Sequence, residues 1–199
     1  TASEPIQSTG IQFTASGCTF DPPSVASTKV TANLVSCTTQ GPFSLTVTVL
    51  DLTGNTGTLT INYNYDSISP TLQNADPVAT SRIRPGTVIT YTLSEDVSPV
   101  VTPDSTCNFG NTSLIGTDAV SAPLITCNGG DGNRTIRVTV RDLAGNTAVI
   151  ANTYYFDGTP PVLKAALSNN TRVGPSSIIS FTVTEDIQET ETSYVASLG

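Results

Sequence analysis

Apolar and polar residues alternate one by one along much of this chain. Ile89, Tyr91 and Leu93 fall on one side of an extended segment, and Thr90, Thr92 and Ser94 on the other. Leu45, Val47 and Val49 repeat the pattern, as do Ile136, Val138 and Val140. A period of two is what a half-buried strand requires, because successive Cβ atoms point to opposite faces. Tyr63 and Tyr65, and later Ile150 with Tyr155, mark strands that follow these runs. Pro and Gly cluster between the runs, and no segment carries a convincing 3.6-residue pattern. The prediction is an all-β chain.

The phrases between the strands recur. Asp51-Leu-Thr-Gly-Asn-Thr56 returns 91 positions later as Asp142-Leu-Ala-Gly-Asn-Thr147. Fifteen residues beyond each Asp stands Asp66-Ser-Ile-Ser-Pro70 or Asp157-Gly-Thr-Pro-Pro161. ITYTLSEDV at 89–97 returns as ISFTVTEDI at 179–187, and Ser3-Glu4-Pro5-Ile6 is a fainter earlier echo. A period of roughly 90 residues is the size of one small β-sandwich.

The phase of this repeat is uneven. With Asp-x-x-x-Pro as the junction, residues 67–157 form one complete unit. Residues 1–66 hold only the later strands of a unit, and 158–199 only the opening strands of another. An incomplete sandwich leaves an open edge and an uncovered apolar face. Three explanations stand: a cut through a longer array, ends that complete themselves irregularly, or strand complementation between subunits. In the third, strands around Ile178, Ile179, Phe181 and Val183 of one subunit fill the incomplete unit of the next. Such a head-to-tail contact does not close, so it builds a filament.

Cysteines stand at 18, 37, 107 and 127, and their spacings of 19 and 20 recur once per repeat. That recurrence selects Cys18–Cys37 and Cys107–Cys127 from the three possible pairings. Each bridge closes a loop of about 20 residues, worth roughly 3 kcal/mol in the chain-entropy model. Oxidised cysteines imply an extracytoplasmic home. A zinc reading needs paired Cys-x-x-Cys knuckles or His partners, and the chain has neither.

Composition removes further classes. Only 12% of residues are charged, the net charge is −8, and the eight Lys and Arg form no cluster. Nucleic-acid binding is not expected, because neutralising phosphates supplies most of that affinity. No run of 18 apolar residues occurs, so no membrane insertion is expected. No signal peptide is visible; a removed one or a cut through a longer chain is expected ahead of Thr1.

Asp-x-Ala-Gly-Asn-Thr, a strand, then Asp-x-Thr-x-Pro resembles the bacterial Ig-like repeats of large secreted adhesins and surface proteins. Residues 142–147 with 157–161 match that pattern closely, and 51–56 with 66–70 are a degraded version. The acidic phrases Glu95-Asp96 and Glu185-Asp186 are also similar. A disulfide in each repeat departs from many members, which are cysteine-free. The resemblance implies tandem Ig-like β-sandwiches with Greek-key antiparallel sheets, used for adhesion or surface display. In some members acidic residues at domain junctions bind calcium and stiffen the rod. The matching positions are Asp66 and Asp157, with Asp51, Asp142, Glu95 and Asp96 nearby. Calcium takes six to eight oxygens, so clustered carboxylates would supply about half of its shell.

Read without the resemblance, the repeated phrase is a hairpin corner. Asp hydrogen-bonds its own backbone two residues on, Gly accepts positive φ, and Asn tolerates the left-handed region. It lacks the alternating ligand pattern of an EF-hand loop. With no His, a Ser-His or Cys-His nucleophile cannot be built. Adjacent Glu95 and Asp96 point to opposite faces of a strand, and sugar-stacking Trp is absent. Gly129-Gly130-Asp131-Gly132-Asn133 lacks the following Lys-Ser/Thr of a phosphate loop. Lys29 and Lys164 hold non-equivalent repeat positions, which argues against isopeptide cross-links. Asn111, Asn133 and Asn169 open glycosylation triplets that read as exposed polar loops.

The expectation is therefore an extracellular structural or adhesive protein and not an enzyme. It serves as a surface rod or as a filament subunit whose partner is itself or a neighbouring repeat. The alternative is a module that binds a glycan or host protein, cut from a longer adhesin array.

Overall fold

A computed structural model of the protein describes residues 2–104, 106–167 and 170–185. Every regular element among them is a β-strand. The first segment contains β1 (Gln12–Thr14), β2 (Cys18–Phe20), β3 (Ser24–Ala26), β4 (Lys29–Thr31), β5 (Leu34–Cys37), β6 (Gly41–Leu50) and β7 (Thr56–Tyr65). One antiparallel sheet runs β1-β6-β7, and β2 with β5 and β3 with β4 make two short ladders. The alternation of Leu45, Val47 and Val49 holds β6 in one register against β7, with Leu45 opposite Ile61 and Val47 opposite Leu59.

The middle segment is fuller. It contains β8 (Leu72–Asp76), β9 (Arg82–Ile83), β10 (Val88–Leu93), β11 (Val97–Asp104), β12 (Cys107–Phe109), β13 (Ser113–Ile115), β14 (Ala119–Cys127), β15 (Gly132–Asp142) and β16 (Thr147–Phe156). One sheet runs β12-β14-β10-β8, with β13 also on β14, and the other runs β11-β15-β16-β9. All these pairings are antiparallel except β9 with β16. A single hydrophobic cluster draws Tyr91, Leu93 and Leu124 from the first sheet and Ile136, Val140 and Tyr154 from the second. The two sheets therefore cover each other's apolar faces. The Tyr154 hydroxyl donates to the Pro77 carbonyl at 3.1 Å and lies 3.4 Å from the Tyr91 hydroxyl, so the buried phenols have partners. Burial, then the Tyr154 hydroxyl, pushes the Tyr91 phenol well above its ordinary range.

Both expected disulfides form, Cys18–Cys37 and Cys107–Cys127. In each the two cysteines stand directly opposite on neighbouring strands, β2 with β5 and β12 with β14. Last come β17 (Leu163–Ala165) and β18 (Phe181–Val183), paired antiparallel with each other. Asp186 and Asn169 lie outside the described residues.

Tyr155 on β16 lies under the Arg82 guanidinium, 4.8 Å from ring centre to Cζ. Tyr154 points inward instead, because Ile150, Tyr154 and Phe156 share one parity and one face.

The repeat makes the two segments directly comparable. Ile150 on β16 is 7% exposed, whereas its counterpart Leu59 on β7 is 60% exposed. Tyr154 is fully covered, whereas its counterpart Tyr63 is 47% exposed. Ile150→Ala should therefore cost about 2–5 kcal/mol in urea unfolding of dilute, unassembled protein. Leu59→Ala should change stability by less than about 0.5 kcal/mol under the same conditions.

Candidate functional site: an open groove and an acidic junction

One face of the first segment, covered over Leu45 but open at Leu59, Ile61 and Tyr63, forms a groove of about 570 Å³. Its floor is made by Leu45, Val47 and Val49 of β6 with Leu59, Ile61 and Tyr63 of β7. β6 and β7 correspond to β15 and β16, whose equivalent face is closed by the sheet containing β8 and β10. No strand among the described residues takes the place of β8, β9 or β10 here. The N-terminal residues cover one end: Ile6 is buried and bridges Asp51, as Val97 pairs with Asp142 in the middle segment.

Residues 161–167 and 170–185 hold counterparts of two of the strands that the groove lacks, β8 and β10. Thr184 N–H donates to Val162 O at 3.1 Å, as Ser94 N–H donates to Thr71 O at 2.9 Å. Val162 N–H donates to Thr184 Oγ1 at 3.0 Å, as Thr71 N–H donates to Ser94 Oγ at 3.0 Å. β17 pairs with β18 as β8 pairs with β10. Of the assembly residues expected from sequence, Ile178 is 87% exposed, Ile179 and Phe181 are also exposed, and Val183 is half-buried. The structure thus holds an uncovered apolar face and a strand pair with exposed apolar residues.

The repeated Asp-Leu-small-Gly-Asn-Thr phrase forms the same corner twice. Asp142 Oδ1 accepts the Gly145 N–H at 2.6 Å and the Asn146 N–H at 2.8 Å, and Oδ2 accepts the Asn146 side chain at 2.7 Å. Asp51 Oδ1 accepts the Thr53 and Asn55 N–H groups, each at 2.8 Å. Gly145 and Gly54 have φ of 105° and 92°, where a side chain is strained. At Gly145 a Cβ would also meet Arg141 Nη2 at 2.8 Å. Hydrogen bonds from the Asn55 side chain and N–H hold the Asp51 carboxyl down at about 2. Burial pushes Asp142 upward, but its bonds from Asn146, Gly145 and Ala144 outweigh that, and it titrates below the usual range. The phrase is a corner held by its own carboxylate.

Of the six acidic residues expected at domain junctions, three meet at one of them. Asp66, Glu95 and Asp142 come together, with ligand-capable oxygens within 4.8 Å of one another. Asp96 is exposed, Asp51 serves its own corner, and Asp157 pairs with Arg82 at 3.4 Å. The corner also joins the repeats here, because the Asn146 side chain donates to the carbonyls of Asp66 and Ile68, each at 3.3 Å. Both Asp142 oxygens are engaged by three donors within the corner, and Asp66 Oδ1 accepts the Ile68 N–H at 3.0 Å. The three carboxylates offer at most six oxygens, several of them already hydrogen-bonded, so they would supply only part of a calcium shell of six to eight. Burial and then the Asp66 and Asp142 carboxylates push Glu95 upward.

No helix among the described residues is long and apolar enough to cross a membrane. Compared with known proteins, the chain matches no protein-family model and no curated protein.

A raised folded-state pKa means that Glu95 favours the fold when protonated, and that this contribution is lost as pH rises through its folded value. Glu95→Gln should therefore raise the melting temperature at pH 7, and the gain should vanish at pH 3, below its ordinary pKa. Thermal unfolding followed by circular dichroism, with a chelator present, measures both.

Proposed function

We propose that the protein is an extracellular structural subunit, built from tandem Ig-like units, that assembles head-to-tail into a filament by strand complementation. The middle segment supports the Ig-like part of this reading. Its sheets, β8-β10-β14-β12 and β11-β15-β16, follow the order of strands ABED and CFG in an immunoglobulin constant-type domain. β9 adds a parallel edge to β16. The Cys107–Cys127 bridge departs from antibody domains, because it joins two neighbours in one sheet rather than crossing between sheets.

The observation that carries the assembly reading is the mismatch between equivalent faces. Leu59 and Tyr63 stand open where Ile150 and Tyr154 are covered, and the covering strands recur near the other end of the chain. Fully burying a side chain such as Leu59 contributes roughly 1.5–3 kcal/mol, so covering this floor is a sizeable driving force. A donated strand supplies it and also satisfies open sheet edges. Because the donor and the groove lie at opposite ends of the chain sequence, each subunit offers both surfaces, and the contact propagates. The two disulfides favour an oxidising, extracellular setting, where reduction does not loosen the small first unit.

Electron microscopy of purified protein tests this directly. The full chain should form regular filaments, and truncation after Asn170 should leave single particles. Filaments of unchanged length after truncation would overturn the proposal. A monomeric full chain that binds a glycan or host protein would favour the binding-module alternative.

A further inference from the structure

The middle unit serves as an internal template for the contact, and it specifies more than a general docking of apolar faces. We propose that a second copy of this chain inserts residues 172–182 into the groove in one register, with Ser180 opposite Thr31 and Arg172 beside Asp66. This rests on the strand-complementation reading above and fixes which residues meet.

The register follows from matching each strand to its repeat. β10 pairs with β14 so that Thr90 faces Ser121, Tyr91 faces Val120 and Ile89 faces Ala122. The equivalents of Ile89, Thr90 and Tyr91 in the terminal segment are Ile179, Ser180 and Phe181. The equivalents of Val120 and Ser121 are Val30 and Thr31 of β4, and that of Ala122 is Ala32. β4 already resembles β14 on its other edge: β3 pairs Val25 with Val30, as β13 pairs Leu114 with Val120. Phe181 then faces Val30, and Ile179 faces Ala32. Thr90 and Ser121 hydroxyls lie 3.3 Å apart in the template, so Ser180 and Thr31 come equally close.

The donor backbone already has the shape this requires. Thr87 N–H donates to Arg84 O at 3.0 Å and Arg84 N–H to Thr87 Oγ1 at 3.0 Å. Ser177 N–H donates to Gly174 O at 3.1 Å and Gly174 N–H to Ser177 Oγ at 3.0 Å. Ser176 holds φ of 69° where Gly86 holds 89°, and Asn170 holds 64° where Thr80 holds 71°. The turn that leads into β10 is therefore present in the terminal segment before any partner arrives.

Charge agrees with the register. In the template Arg82 pairs with Asp157 at the end of β16, at 3.4 Å. Their equivalents are Arg172 and Asp66, and Asp66 belongs to the cluster with Glu95 and Asp142. An incoming guanidinium meets three carboxylates there.

The far limit of the insertion is also set. Ala2 N–H donates to Thr28 O at 2.6 Å, as Leu93 N–H donates to Asp118 O at 2.8 Å. Ala2 thus holds the place that Val183 would take, so donated pairing runs through Thr182 and the donor chain leaves the sheet beyond it.

Cysteine cross-linking of the full chain tests the register. Mixed single variants Ser180→Cys and Thr31→Cys should give a disulfide-linked dimer, and the double variant a ladder of oligomers on a non-reducing gel. The pair Ser180→Cys with Asn33→Cys, slipped by two residues, should not cross-link. If filaments form but the slipped pair reacts instead, the register is wrong while complementation stands. A cross-linked monomer from the double variant would overturn the second copy as occupant. Absence of both filaments and cross-links would overturn the two readings together. Arg172→Glu should raise the critical concentration for assembly about two- to fivefold, the scale of an exposed ion pair. Adding Asp66→Lys should restore it, and additive losses would overturn the Arg172–Asp66 contact.

Discussion

The inward face of a two-stranded core ribbon must be covered, and the rest of this molecule depends on how that is done. β15 and β16 present Ile136, Val140, Ile150 and Tyr154 on one side, and β10 and β14 close over them with Tyr91, Leu93 and Leu124. Apolar burial is non-directional and scales with area, so it demands a cover without naming one. Strand pairing names it, because only a strand in register also satisfies the backbone groups of the edge it joins. The first unit repeats the ribbon as β6 and β7 but has no such cover among its described residues.

Short strands make this arrangement tenable. β2, β3, β4 and β5 have only three or four residues each, too few to hold a sheet alone. The Cys18–Cys37 bridge ties β2 to β5 directly across the ladder and limits how far the unit can open. The β6–β7 hairpin, with ten paired positions and a carboxylate-held corner, gives the unit its one long element.

The acidic cluster constrains the chain between the two segments in a different way. Asn146 uses its side chain to tie the corner of the middle unit to the Asp66 and Ile68 carbonyls, so the corner also fixes the linker between units. The cost is the approach of three carboxylates, felt most by Glu95 because it is the one without a corner of its own to hold it charged. The same Asp that would catch the eye as a metal ligand accepts three hydrogen bonds from the turn it builds.

Local physics made much of this legible in advance. Alternation with period two, Asp-Gly-Asn turn chemistry and cysteine spacing act within a few or about twenty residues, and they determined strand class, the repeated corner and both disulfides. The repeat period was legible too, from phrases that recur at a fixed spacing. The short strands β1, β3, β9 and β13 carried no such signal, because their pairing rests on neighbours far along the chain rather than on their own pattern. Only the tertiary structure decided that Tyr154 and not Tyr155 faces inward, and that Asp66, Glu95 and Asp142 meet while Asp51, Asp96 and Asp157 do not. It also decided that Leu59 and Tyr63 are left uncovered. Which face is covered, and by what, depends on strands brought together across the fold, and a one-dimensional pattern contains the faces but not their partners.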